Sequence, residues 1–266
     1  MTDHSATTSP TMYYEETGSH TGKIVLFLHG FPFDRTLWLE TSKHLGDSHH
    51  LVFPDLRGFG QTNLPVSQMT TMSQFAQDAK NLIDCTDNTA SVVVCGLSMG
   101  GYVAMHFARQ FGDRLAGLIL CDTKALPDSE ATAQNRIRRA DALPETGMLP
   151  LAYAMLPNLL APQTANDIRE SVRQMILRQP IVGVAAADRG MAERPDATDW
   201  LPAFDMPTLV ICGEQDTISP VAEMKLMAAR IPKARFVTIP NAGHLPPLES
   251  PVGFANVVKK FLDEIL

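Results

Sequence analysis

Several residue types and patterns are scarce in this 266-residue sequence, and each shortage removes a class of protein. Cysteine occurs four times, at Cys85, Cys95, Cys121 and Cys212. No pair has metal-ligand spacing, and a disulfide framework belongs to much smaller secreted domains. Cys95, Cys121 and Cys212 fall inside apolar runs, so reduced core thiols are expected. There is no block of Lys or Arg, and 22 basic residues face 29 acidic ones for a net charge of −7. That balance argues against a nucleic-acid or anionic-membrane partner. No window approaches the ~18 apolar residues of a membrane span, and the polar start from Met1 to Pro10 has no signal-peptide core. A soluble cytoplasmic protein is expected.

What is present is ordinary globular composition, 45% hydrophobic and 19% charged, which excludes a disordered chain. The length exceeds the usual ~150 residues per domain but suits one α/β domain carrying an insertion. Residues 1–10 are expected as a disordered tail, and residues 11–15 as a short edge strand before a turn at 18–22. Residues 24–28 are apolar at every position, as in a parallel strand covered on both faces. Further strand-like runs, not all wholly apolar, lie at 50–54, 91–95, 115–121, 207–213 and 234–239. Between them, helical spacing marks 36–46, 72–85, 102–108, 221–230 and 252–265.

This alternation predicts an α/β fold, a mostly parallel central sheet flanked by helices. It breaks after Asp122. From 123 to 202 no buried strand occurs; helical segments occupy 130–142, 147–156, 164–178 and 181–191, separated by prolines. A helical lid over the carboxyl ends of the strands is expected there, with the core domain formed by 11–122 and 203–266.

The chemistry is expected at Gly96-Leu97-Ser98-Met99-Gly100, which joins an apolar strand to a helical run. A serine on so tight a turn projects its hydroxyl from the top of the sheet, and the glycines leave room for neighbouring backbone. The hydroxyl needs a base, and that imidazole needs a carboxylate to fix its tautomer. Two later loops offer them: Gly213-Glu214-Gln215-Asp216 and Asn241-Ala242-Gly243-His244. Singly, Asp216 reads as a turn or cap residue and His244 as a surface histidine. Jointly, with each at the carboxyl end of a strand, Ser98, Asp216 and His244 read as a catalytic triad. Asp122 ends its own strand and rivals Asp216 as the acid. Asp55 and Arg57 are expected to brace their loop by pairing with each other or with backbone.

On these residues the chain resembles the α/β-hydrolase superfamily over nearly its whole length. The motifs are His29-Gly30-Phe31-Pro32, Asp55-Leu56-Arg57-Gly58-Phe59-Gly60, the elbow around Ser98, the Asp216 loop and Ala242-Gly243-His244. The order Ser, Asp, His is that of this superfamily. Within it the chain is similar to small esterases, perhydrolase-type (cofactor-free haloperoxidase) enzymes and 3-oxoadipate enol-lactonases. The resemblance implies an oxyanion hole from the backbone N–H groups of Phe31 and Met99, and a substrate-binding surface of His29, Gly30, Phe31 and Met99. It implies no metal and no organic cofactor.

Dehalogenases and most epoxide hydrolases of this fold attack with aspartate, so a serine at 98 favours acyl transfer. The expected activity is carboxylesterase action on short-chain, uncharged esters, with lactone hydrolysis or perhydrolysis as alternatives and C–C hydrolysis or hydroxynitrile cleavage behind them. For a lactone bearing a carboxylate, the lid offers Arg136, Arg138, Arg139, Arg169, Arg173, Arg178 and Arg189, most of them expected on solvated helix faces. No tryptophan precedes Trp200 in the lid, whereas such lactonases typically carry one early in that region. The expected partner is a small-molecule ester or lactone, and the assembly a monomer or homodimer.

Overall fold

The apolar runs become the centre of an eight-stranded sheet. In the computed structural model, which describes residues 2–3, 11–87 and 91–266, the strands are β1 (Thr2–Asp3), β2 (Tyr14–Gly18), β3 (Ile24–Leu28), β4 (His50–Pro54), β5 (Val92–Leu97), β6 (Leu115–Cys121), β7 (Thr208–Gly213) and β8 (Ala234–Ile239). Their order is β1-β2-β4-β3-β5-β6-β7-β8. From β4 through β8 every pairing is parallel, whereas β1 and β2 add antiparallel strands at one edge. Every residue of β3, β4, β5 and β7 is buried, because helices cover both faces. Cys95, Cys121 and Cys212 are buried free thiols within it.

The covering helices are α1 (Leu39–Ser42), entered through a 3-10 turn at Arg35–Trp38, then α2 (Met72–Asp87), α3 (Met99–Phe111), α8 (Val221–Ala229), α9 (Pro246–Glu249) and α10 (Pro251–Ile265). Four more, α4 (Glu130–Thr146), α5 (Leu149–Leu159), α6 (Asn166–Leu177) and α7 (Ile181–Ala192), form a helical insertion between β6 and β7. Among the described residues no helix is long and apolar enough to cross a membrane.

Local chemistry shifts some expected boundaries. The edge strand begins at Tyr14 rather than residue 11 and runs to Gly18, where its register with β4 ends opposite His50. The expected tail lies outside the described residues except Thr2–Asp3, which pair with the otherwise open edge of β2. The 36–46 helix is replaced by a 3-10 turn capped by Asp34 and a single α turn. Pro144 and Pro157 do not end their helices; each sits in the last turn, where it removes one i→i−4 hydrogen bond with only two helical residues to follow. Asp55 and Arg57 do brace their loop by bonding to backbone, Asp55 Oδ2 accepting from Gln61 N at 2.8 Å and Arg57 Nη1 donating to the Pro65 carbonyl at 2.6 Å, but they do not pair with each other. Asp55 accepts from Arg35 Nη1 at 2.7 Å, and Arg57 Nε donates to Asp78 at 2.7 Å.

The insertion is fastened to the core by charge and by close backbone contact. Arg178 and Gln179, just past α6, each donate to Asp34 Oδ2 at 2.8 Å. Burial alone would raise the Asp34 carboxyl, but hydrogen bonds from Arg178, Thr36 and Gln179 and the Arg178 charge hold it at about 2. Gly183 of α7 lies against the loop after β4, so that a Cβ there would stand 1.7 Å from the Gly58 carbonyl oxygen. Near the insertion's return to the core, the His106 ring of α3 meets Trp200 edge-on, with centroids 4.8 Å apart. Burial, helped by the Arg109 charge, pushes His106 down to about 4.

Two outcomes follow from these contacts. Gly183→Ala forces α7 off its seat and should cost about 1–3 kcal/mol, read as a melting temperature lower by roughly 5 °C and faster proteolysis within the insertion. His106 binds its proton more weakly folded than unfolded, so its contribution is full above the unfolded value of about 6.5 and is lost as pH falls toward 4. Denaturant unfolding at pH 7, 5.5 and 4.5 should therefore show a steeper loss for wild type than for His106→Phe; parallel curves would refute the assignment.

Candidate active site

Ser98 occupies the junction between β5 and α3 with φ 54 and ψ −112, a left-handed conformation that costs a non-glycine residue about 1–3 kcal/mol. Its neighbours hold it there. Ser98 N donates to the Cys121 carbonyl at 2.9 Å, while its own carbonyl accepts from Gly101 N at 2.9 Å and from Thr123 Oγ1 at 2.8 Å. The turn is tight enough that a Cβ on Gly96 would stand 2.1 Å from the Gly100 carbonyl oxygen. The consequence is a hydroxyl placed at the amino end of α3, where the helix dipole favours developing negative charge.

The predicted base and acid converge on that hydroxyl from loops after β8 and β7. His244 Nε2 lies 2.8 Å from Ser98 Oγ, and His244 Nδ1 lies 2.8 Å from Asp216 Oδ2. An ionised carboxylate only accepts, so Nδ1 carries the hydrogen and Nε2 presents its lone pair to the serine O–H. Asp216 is fixed in turn, its Oδ1 accepting from Ile218 N at 2.7 Å and Ser219 N at 3.0 Å. Burial pulls its carboxyl upward, but the charge and hydrogen bond of His244 and the Ser219 N–H outweigh it and hold it below the usual range.

Asp122, the rival acid, is fully buried close by. The carboxyls of Asp122 and Asp216 and the Cys212 thiol offer atoms within 4.8 Å of one another. Two carboxylates at that range cannot both ionise readily. Asp216 has His244, whereas burial, followed by the charge of Asp216, raises Asp122 well above the carboxylate range. Asp122 Oδ1 accepts from Gly213 N at 2.7 Å, which ties β6 to the start of the Asp216 loop.

The loop after β3 lies beside the elbow, with Gly30 against Leu97 and Ser98. Phe31 and Met99 are both buried. His29 is fully buried, and both ring nitrogens are committed to backbone: Nδ1 donates to the Gly30 carbonyl at 2.9 Å and Nε2 accepts from Leu56 N at 3.0 Å. Burial lowers its pKa and keeps the ring neutral, as that pattern requires. Its ring therefore braces the loop.

Glu249 and Asp34 belong to no motif of the sequence, yet both tie the core to the insertion. Glu249 Oε2 accepts from Gly243 N at 2.8 Å, and its Oε1 accepts from Ala161 N at 2.7 Å, so one carboxylate joins the histidine loop to the lid. No spacing pattern signals a contact across 88 residues. The lid arginines are likewise occupied. Arg136 and Arg139 share buried Asp188, Arg138 meets Asn135, Arg169 donates to lid carbonyls, Arg173 pairs with Glu170, Arg178 with Asp34 and Arg189 with Asp141. Arg139 also stands over the Phe31 ring, 5.5 Å from its centroid.

Comparison with known proteins agrees with this geometry. The model of the Alpha/beta hydrolase family matches residues 25–257. A thermophilic esterase from Thermogutta terrifontis, solved with malate bound, is 46% identical with a TM-score of 0.92, covering 96% of this chain and 94% of that one. The enol-lactonase from Burkholderia xenovorans LB400 is 26% identical with a TM-score of 0.85, covering 95% and 96%. A putative 2-succinyl-6-hydroxy-2,4-cyclohexadiene-1-carboxylate synthase of Bacillus subtilis is 28% identical over 94% of each chain. With a strand-to-helix serine, a histidine and a carboxylate in hydrogen-bonded series, the chain belongs to the alpha/beta hydrolase family.

Proposed function

We propose that the protein is a serine carboxylesterase that hydrolyses short-chain carboxylic esters through an acyl-enzyme. The carrying observation is the continuous series Ser98 Oγ, His244 and Asp216, with both contacts at 2.8 Å. His244 Nε2 takes the serine proton as Oγ attacks the acyl carbon, and Asp216 stabilises the imidazolium that results. The Phe31 and Met99 N–H groups are assigned to the oxyanion, a role for which each donor contributes on the order of a hundredfold in rate. The tetrahedral intermediate collapses, the C–O bond to the alcohol breaks, and the alcohol leaves with the proton from His244. Water then enters, gives a proton to His244 and attacks the acyl carbon, releasing the acid and restoring Ser98. The cycle uses these groups and water.

An uncharged acyl group is supported by the apolar Phe31 and Met99 and by lid arginines already paired within the protein. A second reading, a lactone or ester bearing a carboxylate, is favoured by the position of Arg139 over Phe31 and by the likeness to an enol-lactonase.

Hydrolysis of p-nitrophenyl esters from acetate to decanoate tests the first reading. Wild type should prefer short chains, and Ser98→Ala should lower kcat about a thousandfold or more; undiminished turnover in that variant would defeat the assignment, while preference for a carboxylate-bearing lactone would favour the second reading. The two buried acids separate in the same assay. Asp216→Asn should lose roughly three to four orders of magnitude, because the amide no longer fixes the imidazole tautomer. Asp122→Asn, which replaces a neutral acid by a neutral amide, should stay within about threefold of wild type, and equal losses in the two variants would show that both ionise.

A further inference from the structure

At the opposite end of the sheet from Ser98, two histidines and a glutamate meet on the antiparallel edge. β2 and β4 pair with Gly18 opposite His50 and Glu16 opposite Val52, so Glu16, Gly18 and His50 share one face. Gly18 has no side chain, and the His50 ring reaches diagonally across it to bring Nε2 within 2.8 Å of Glu16 Oε2. The chain then turns at Gly18, where φ is 83, and Ser19 N donates to the His49 carbonyl at 3.0 Å. That turn returns His20 over the pair. Its Nδ1 lies 3.8 Å from Glu16 Oε1, and its ring centroid lies 4.7 Å from that of His50. Glu16 and His50 are buried, while His20 is exposed.

We propose that Glu16, His20 and His50 form a binding site for a divalent transition-metal ion of the zinc class. Each offers a ligand atom, and all three lie within 4.8 Å of one another. Two imidazole nitrogens and one carboxylate oxygen are a ligand set suited to zinc, which binds them at about 2.0–2.2 Å. Calcium and magnesium want six or more oxygens and find too few here. Around a tetrahedral ion, ligand atoms stand roughly 3.4 Å apart. The hydrogen-bonded Glu16–His50 pair, at 2.8 Å, has to open by about 0.6 Å to admit the ion, and the exposed His20 side chain swings in to close the site. That side chain also gives the ion a path from solvent and leaves a fourth position for water.

Such an ion joins β2, the turn after it and β4, and so fastens the antiparallel edge to the parallel sheet. It lies at the amino end of β4, whereas the candidate active site gathers at the carboxyl ends, so its effect falls on stability.

The test uses full-length protein stripped with a chelator and titrated calorimetrically with zinc chloride. Wild type should bind one ion per chain with a micromolar or lower Kd, and saturation should raise the melting temperature by several degrees. His20→Ala removes an exposed ligand and should fold normally, weaken binding at least tenfold and abolish the thermal shift. His44→Ala, which alters an exposed histidine outside the cluster, should bind as wild type does. Cobalt added to the stripped wild type should give visible absorption bands that His20→Ala lacks. Absence of stoichiometric binding, or equal binding by wild type and His20→Ala, would overturn the proposal. Neither result bears on Ser98 turnover, so it fails independently of the esterase reading.

Discussion

The left-handed backbone at Ser98 is the constraint on which the rest of the site depends. A single residue at φ 54 between a buried strand and a helix is unfavourable in isolation, and it persists because hydrogen bonds with Cys121 and Thr123 of a neighbouring stretch, and one from Gly101 of the helix it opens, hold it there. Those partners, Cys121 and Thr123, flank Asp122 at the end of β6. The strand that holds the nucleophile's backbone therefore also carries the acid that braces the Asp216 loop. Nucleophile and carboxylate are positioned through one stretch of chain.

Electrostatics then divides the work between two acids of the same type. Asp216 has an imidazole at 2.8 Å and two backbone N–H donors, so its charge is compensated where it stands. Asp122 has one backbone donor and a neighbouring carboxylate, so keeping its proton is the cheaper state. A neutral Asp122 also leaves the charge of Asp216 undiluted by a second anion, which matters when the imidazolium forms. Position at a strand end makes both acids eligible. Their surroundings decide which one is the partner.

This explains how much the sequence reveals. The buried strands are legible because an all-apolar run has few other places to be, and the order of Ser98, Asp216 and His244 is legible because each follows a strand-like run, the last of them, 234–239, only partly apolar. The four lid helices are legible from spacing and proline breaks, to within a few residues. What escapes is every contact between segments far apart in the chain. His29 sits in a recognisable motif, yet only the fold shows its two nitrogens committed to Gly30 and Leu56. Asp55 and Arg57 are adjacent enough to suggest a pair, but Arg35 and Asp78 arrive from elsewhere and take them. Charge partners are set by three-dimensional proximity, which periodicity does not encode.

The placement of the lid anchors bears on how substitutions in the insertion act. Asp34 lies three residues beyond Phe31, and Glu249 lies five beyond His244. One holds Arg178 and Gln179 of the insertion, and the other holds Ala161 and Thr164. The Phe31 loop and the His244 loop are thus each stitched to the lid by a carboxylate, buried Asp34 and half-buried Glu249. In the proposed mechanism, loosening the insertion at either point would displace the loop that carries the Phe31 N–H or the His244 ring as well as the lid itself. Since a displacement of about 1 Å at such groups costs on the order of a hundredfold in rate, lid variants at these anchors act on kcat as well as on KM. A lid attached only through its own helices would act on binding alone.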